Sequence, residues 1–298
     1  MKIIQPVTIY YAVFQSSVVP ENDYAAWAVG TTYAAGDRVI VTTGYHKIYE
    51  SKLGGNVGND PTTDDGTNWL EVSSTNRWKM FDAIVQDQTV QATQIVTTLQ
   101  SPTVVNSMAF LNVAATTIEV TVTDAVEGVV YDETFNMTSY SGIQDWYSYF
   151  FEPIIRKDQL AITDLPPYAN ASIEVTINAS ADAKIGALVM GQFADLGLSQ
   201  HGASLSIVDY STKTTDAQGR VTITDGPYAD KMEVDVVLDT SQIGQANATL
   251  SSLRTTPAVW IAEDNNDDLV IYGYYREFDI ILSNPTISRL SLEIEGLV

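Results

Sequence analysis

Cysteine is absent from all 298 residues, which leaves the chain no disulfides and no thiolate metal ligands. Histidine is nearly absent, with His46 and His201 as the whole imidazole inventory. One histidine suffices for a Ser-His-Asp triad, yet no G-x-S-x-G elbow accompanies either. His46 lies between Tyr45 and Lys47 on an expected strand, and His201 precedes Gly202 in an expected loop, so each reads as a surface or hydrogen-bonded side chain. H-E-x-x-H, the phosphate-binding Gly-Lys-Ser/Thr loop and G-x-G-x-x-G are all missing, so no catalytic residue and no cofactor is expected. Basic residues are scarce, 15 Lys and Arg against 37 Asp and Glu. The resulting charge of −22 repels phosphate backbones and anionic membranes and argues against a nucleic-acid partner. A long apolar run is lacking as well. The start, MKIIQPVTIYYAVFQ, is interrupted by Gln5, Pro6 and Thr8 and reads as neither a signal peptide nor a membrane span. A chain made in the cytoplasm, without membrane insertion, is expected.

What is present is period-two alternation. Ile118, Val120 and Val122 alternate with Glu119, Thr121 and Thr123, and Ile173, Val175 and Ile177 repeat the pattern. Met232, Val234 and Val236 do so again, as do Leu290, Leu292 and Ile294. Each run turns one apolar face inward, as antiparallel sheets require. Turn signals separate the runs at DAVEG (124–128), DAQGR (216–220) and DGPYAD (225–230). The one convincing helix is TSQIGQANATLSSLR (240–254), capped by Thr240 or Ser241, with Ile243, Leu250 and Leu253 on one face. The fold class is mostly β. Composition divides the chain into an N-terminal arm (1–24), a Gly-, Thr-, Asp- and aromatic-rich module (25–75), a long β region (76–190) and a C-terminal β domain carrying the helix (191–298).

Carboxylates are abundant, and glycosidases need only two of them at a set separation, but abundance alone makes chance pairs certain. The clusters EDNNDD (263–268) and NDPTTDD (59–65) offer oxygen ligands for calcium without the spacing of an EF-hand loop. Solvated acidic turns are the better reading, and no metal site is expected.

Trp27, Tyr33, Gly36-Asp37, Val39, Tyr45, Tyr49, Asp60-Pro61 and Trp69 fall in an order that resembles a carbohydrate-binding module of the type 5/12, chitin-binding-like superfamily, over about residues 25–72. A module so short has too few residues for an aliphatic core, so Trp27, Tyr33 and Trp69 are expected to fill it and Gly36-Asp37 to shape a turn. The family's chitin binders carry an adjacent aromatic pair before the final Trp, whereas SKLGGNVGNDPTTDDGTN (51–68) has no aromatic. Tyr45 and Tyr49 are then the candidate stacking platforms, with Asp60, Asp64 and Asn68 as polar neighbours.

NRWKMFD (76–82), VNSMAFLNVAATTIEVTVTD (105–124), DLPPY (164–168) and AKIGALVMG (183–191) together resemble the central part of tailed-bacteriophage virion proteins, which carries a galactose-binding-like jelly roll. HGASLSIVDYSTKTTDAQG (201–219), LRTTPAVWI (253–261), YGYYREFDI (272–280) and SLEIEGL (291–297) are similar to the C-terminal part of the same proteins. The resemblance implies a non-enzymatic component of a tail tip or baseplate, located in the virion. Its partners would be other tail proteins and a host-surface glycan, and its state a homo-oligomer, trimer or hexamer. DWYSYFFEP (145–153) then faces a neighbouring subunit or fills a sandwich core. A free lectin-like protein and a glycan-degrading enzyme with a targeting module are the alternatives.

Overall fold

A computed structural model describes residues 1–139, 145–151 (without the side chains of 148 and 149), 155–200, 202–263, 269–282 and 284–297. β1 (Lys2–Pro6) and β2 (Phe14–Ser17) precede a small unit of β3 (Arg38–Val41), β4 (Lys47–Ser51) and β5 (Trp69–Ser74). A single 3₁₀ turn at Lys79–Phe81 leads into β6 (Thr89–Gln100), β7 (Ser107–Ala114), β8 (Thr117–Asp124) and β9 (Gly128–Asn136). Short pieces follow: β10 (Thr138–Ser139), α1 (Trp146–Phe151), β11 (Ile155–Arg156) and β12 (Leu160–Ile162). Next come β13 (Ser172–Asp195), β14 (Leu198–Ser199), β15 (Ser204–Asp209) and the hairpin β16 (Thr212–Thr215) and β17 (Val221–Thr224). β18 (Tyr228–Asp239), α2 (Ile243–Ser252), β19 (Ala258–Ile261), β20 (Val270–Ile281) and β21 (Ile287–Gly296) complete the chain. The fold is mostly β and its named strand pairs are antiparallel. No helix among the described residues is long and apolar enough to cross a membrane.

β13 organises the first half. Over Ser172–Asn178 it lies between β6 and β8 and alternates, with Ile173, Val175 and Ile177 buried. Its pairing with β6 then shifts between Asn178 and Asp182, where Ser180, Ala181 and Asp182 are exposed. Beyond that irregularity the strand pairs with β7 and finally β1, and Ile185–Gly191 is buried without alternation. A strand that changes neighbours at a bulge can serve two layers at once. Ile95 and Leu99 of β6, Ile118 and Val120 of β8 and Phe110 of β7 meet Leu188 and Met190 in one core. Gly191 lets β1 come close, since a Cβ there would sit 1.9 Å from the Gln5 carbonyl oxygen.

Two expectations about domain limits are corrected. Residues 1–24 are no free arm: β1 is hydrogen-bonded between β13 and β19, and Ile3 and Ile4 are fully buried. Ile3 packs with Trp260 and Leu292, whereas Ile4 packs with Leu111 and Val189. Pro6, read as an interruption, ends the strand instead, which suits a residue without an N–H. The boundary at 190 falls inside β13, so the main sheet runs through it. The helix is also shifted. Thr240–Gln242 form a 3₁₀ turn capped by Asp239, whose carboxylate accepts from the Ser241 amide, and the α-helix itself begins after Gln242 with no side-chain cap, rather than at Thr240 or Ser241. Leu250 and Leu253 pack with Val234 and Val236 of β18, and Ile243 lies against the same cluster.

Candidate functional site

The small three-stranded sheet β3-β4-β5 encloses Tyr33, Val39, Tyr49 and Trp69, with Trp27 and Val41 packed against them. Tyr33 and Trp69 meet edge to face with centroids 5.2 Å apart, a favoured aromatic geometry. The buried Trp69 indole donates to the Asn59 carbonyl at 3.0 Å, and the Tyr33 hydroxyl accepts from the Ala28 amide at 2.8 Å. Gly36 takes φ +89°, and the Asp37 carboxylate accepts from the Ala34 amide at 2.6 Å, closing the turn before β3.

Of the five residues expected to face a sugar, Tyr49 is buried, Asp60, Asp64 and Asn68 are half-buried and bonded within their own loop, and Tyr45 is exposed. Tyr49 is 5 % exposed and belongs to the aromatic core. The reason is that both faces of β4 are covered: Tyr49 pairs with Val39 on the face that meets the aromatic core, while Ile48 pairs with Ile40 and is buried on the opposite face. Burial, with Glu71 nearby, raises the Tyr49 phenol above its ordinary value. Asp60 accepts from both the amide and the hydroxyl of Thr62, at 2.9 and 2.8 Å. Asn68 donates through its side chain to Asp64 at 2.7 Å. Asp64 also accepts from the backbone N–H groups of Gly66, Asn68 and Trp69. Desolvation works against its ionisation, but the Asn68 side chain and these amides together hold it below the usual carboxylate range. The carboxylates of 59–65 therefore brace their own loop. His201 and 264–268 lie outside the described residues.

Tyr45 is different: it is 53 % exposed, on the turn joining β3 to β4. With Tyr10 and Tyr11, also exposed, it rims a cleft of about 260 Å³ between the module and the larger sheet. The floor holds His46, Trp78, Phe81 and Asp82. His46 stacks on Trp78 with centroids 4.2 Å apart and planes 20° apart. Trp78 also contacts Phe14 and Phe81, at 5.0 and 5.6 Å.

Glu21 fastens this junction. Its nearly buried carboxylate contacts His46 Nδ1 at 2.8 Å, accepts from the Thr75 hydroxyl at 2.8 Å and pairs with Arg77 at 3.5 Å. Three floor atoms stay buried without a hydrogen-bond partner: His46 Nε2, Trp78 Nε1 and Asp82 Oδ2. Asp82 Oδ1 accepts from the Ile84 amide at 3.0 Å, yet burial pushes this carboxyl above the ordinary range.

Sequence pattern did not single out Tyr10, Tyr11, Trp78, Phe81 and Asp82 as a site, whereas His46, expected as a surface or hydrogen-bonded side chain, is hydrogen-bonded to Glu21. One signal was present: NRWKMFD places Trp, Phe and Asp three and four residues apart, the spacing that a single tight turn brings together. In the aromatic run at 145–153, Trp146, Tyr147, Phe150 and Phe151 are exposed and fill no core, and 152–153 and the side chains of 148 and 149 lie outside the described residues. The chain matches no protein-family model, and no curated protein matches its sequence.

Proposed function

We propose that the chain is a non-enzymatic structural component of a bacteriophage tail tip or baseplate, forming a symmetric oligomer in the virion and presenting its small module to host-surface glycans. The observation that carries the assembly half of this reading is the β15–β17 arm. Leu205, Ile207, Tyr210, Val221 and Ile223 are exposed along it, and no residue of β16 or β17 is even half-buried. A two-stranded sheet by itself is marginal in water, so a hairpin of this kind gains its stability from a neighbour. The exposed aromatics of α1 add a second apolar surface of the same sort. Repetition around an axis also turns weak contacts with a glycan into avidity.

A free lectin-like protein is the second reading, favoured by the aromatic cleft, which one subunit completes by itself. Light scattering over a concentration series separates the two. A defined trimer or hexamer supports the assembly. A strict monomer at every concentration, even with tail partners added, leaves the lectin reading. The measurement belongs in high salt as well as low, because subunits of charge −22 repel one another when unscreened.

A further inference from the structure

We propose that the cleft between module and sheet is a binding site for one neutral sugar residue, with Tyr45 as the stacking face and Trp78, His46 and Asp82 as the hydrogen-bonding floor. This rests on the reading that the chain contacts glycans, and it moves that contact away from the module's own outer surface.

The chemistry of the floor selects the ligand. His46 Nδ1 faces the Glu21 carboxylate and therefore carries a proton, and in the neutral form of the ring Nε2 is then an acceptor. Asp82 Oδ2 is a second acceptor, and Trp78 Nε1 is a donor. A ligand meeting all three must both donate and accept at neighbouring positions, which hydroxyl groups do. Phosphate or carboxylate ligands are repelled by Asp82 in a chain already strongly acidic. A purely apolar ligand leaves all three atoms unpaired, the most unfavourable state for buried polar groups. The rim supplies the other half of sugar recognition, because Tyr10, Tyr11 and Tyr45 present aromatic faces to the C–H side of a ring. The three floor atoms are buried in the free chain, so a ligand reaches them only with side-chain movement in the cleft. The Glu21 contacts hold His46 in place beforehand, and such preorganisation limits the entropy lost on binding.

The test uses the full chain and a panel of neutral monosaccharides and their methyl glycosides. Each is titrated to about 100 mM, since single-ring contacts of this kind are weak. Tryptophan fluorescence and saturation-transfer NMR report binding, and circular dichroism verifies each variant's fold. At least one neutral sugar is expected to bind. Tyr45→Ala, at an exposed position, and Asp82→Asn, which exchanges an acceptor for a donor at constant shape, each weaken it by about ten-fold or more. Sugar binding unchanged in both variants overturns the cleft assignment and leaves the glycan reading standing. No binding by any sugar overturns both, while the oligomer seen by light scattering still judges the structural role. Binding confined to anionic sugars also overturns this proposal.

Discussion

Asp82 shows how one side chain records its surroundings. Its folded-state carboxyl titrates above the ordinary range because burial disfavours the anion, with Asp87 adding to the effect and the Ile84 amide, the Ser74 hydroxyl and Lys47 opposing it. The folded chain therefore holds this proton to a higher pH than the unfolded chain does. The stability it contributes is complete below the unfolded value of about 4 and is lost as pH rises through the folded value. Asp82→Asn removes that loss, so the difference in Tm between variant and wild type should grow more positive from about pH 4 to pH 7. Thermal melts of both proteins across that range check it; a constant difference contradicts the buried-anion account. Tyr49 carries a second prediction at this scale. Tyr49→Ala should destabilise the module by about 3 kcal/mol or more in urea unfolding, as expected for emptying an aromatic core position. It should leave the sugar contacts of the cleft in place. Sugar binding lost with stability intact would return Tyr49 to the role its sequence position suggested.

At the scale of elements, the junction at Glu21 matters most. A carboxylate whose side chain is 7 % exposed, set among His46, Thr75 and Arg77, links the segment before the module, the β3–β4 turn and the segment after β5. Removing one partner of a buried ionic cluster leaves the others uncompensated, commonly by about 3–5 kcal/mol. Glu21→Ala should therefore loosen the module from the main sheet. Hydrogen exchange should rise at Thr75, whose amide bonds the His46 carbonyl at 2.9 Å, while exchange in β13 stays slow. Uniform acceleration across both would mean that module and sheet unfold together.

At the scale of the whole molecule, the question is what covers the exposed apolar arm. Val221 and Ile223 share one face of β17, with Thr215 and Lys213 opposite them on β16. Val221→Ser with Ile223→Ser should leave the circular dichroism of the subunit unchanged, because neither residue supports a buried cluster. The proposed oligomer, in contrast, should dissociate. Retention of the wild-type mass in light scattering would place the subunit contact elsewhere, with the α1 aromatics as the next surface to change.

The main strands were legible because each carries its own apolar face. Ile118, Val120 and Val122 alternate on β8, and Leu290, Leu292 and Ile294 do the same on β21, so a local pattern sufficed. The helix was legible for the same reason, and its start was displaced because Asp239, Thr240 and Ser241 all carry capping oxygens and Asp239 uses its own to cap a preceding 3₁₀ turn. Tyr33 and Trp69 lie in the aromatic core of the module, where a segment so poor in aliphatics needs them. Properties that depend on partners far along the chain were not legible. Whether Lys2–Pro6 is an arm or an inner strand depends on pairing with residues about 190 and 260 positions on. Tyr49 is inside rather than outside because its face of β4, shared with Val39, is the one that Trp69 and Tyr33 cover, which no local pattern shows. The cleft exists only because Tyr10, Tyr45 and Asp82, from three separate segments, are brought to one place. Short-range pattern determines which face of a strand is apolar, but only tertiary pairing decides what that face meets, and hence where a ligand can sit.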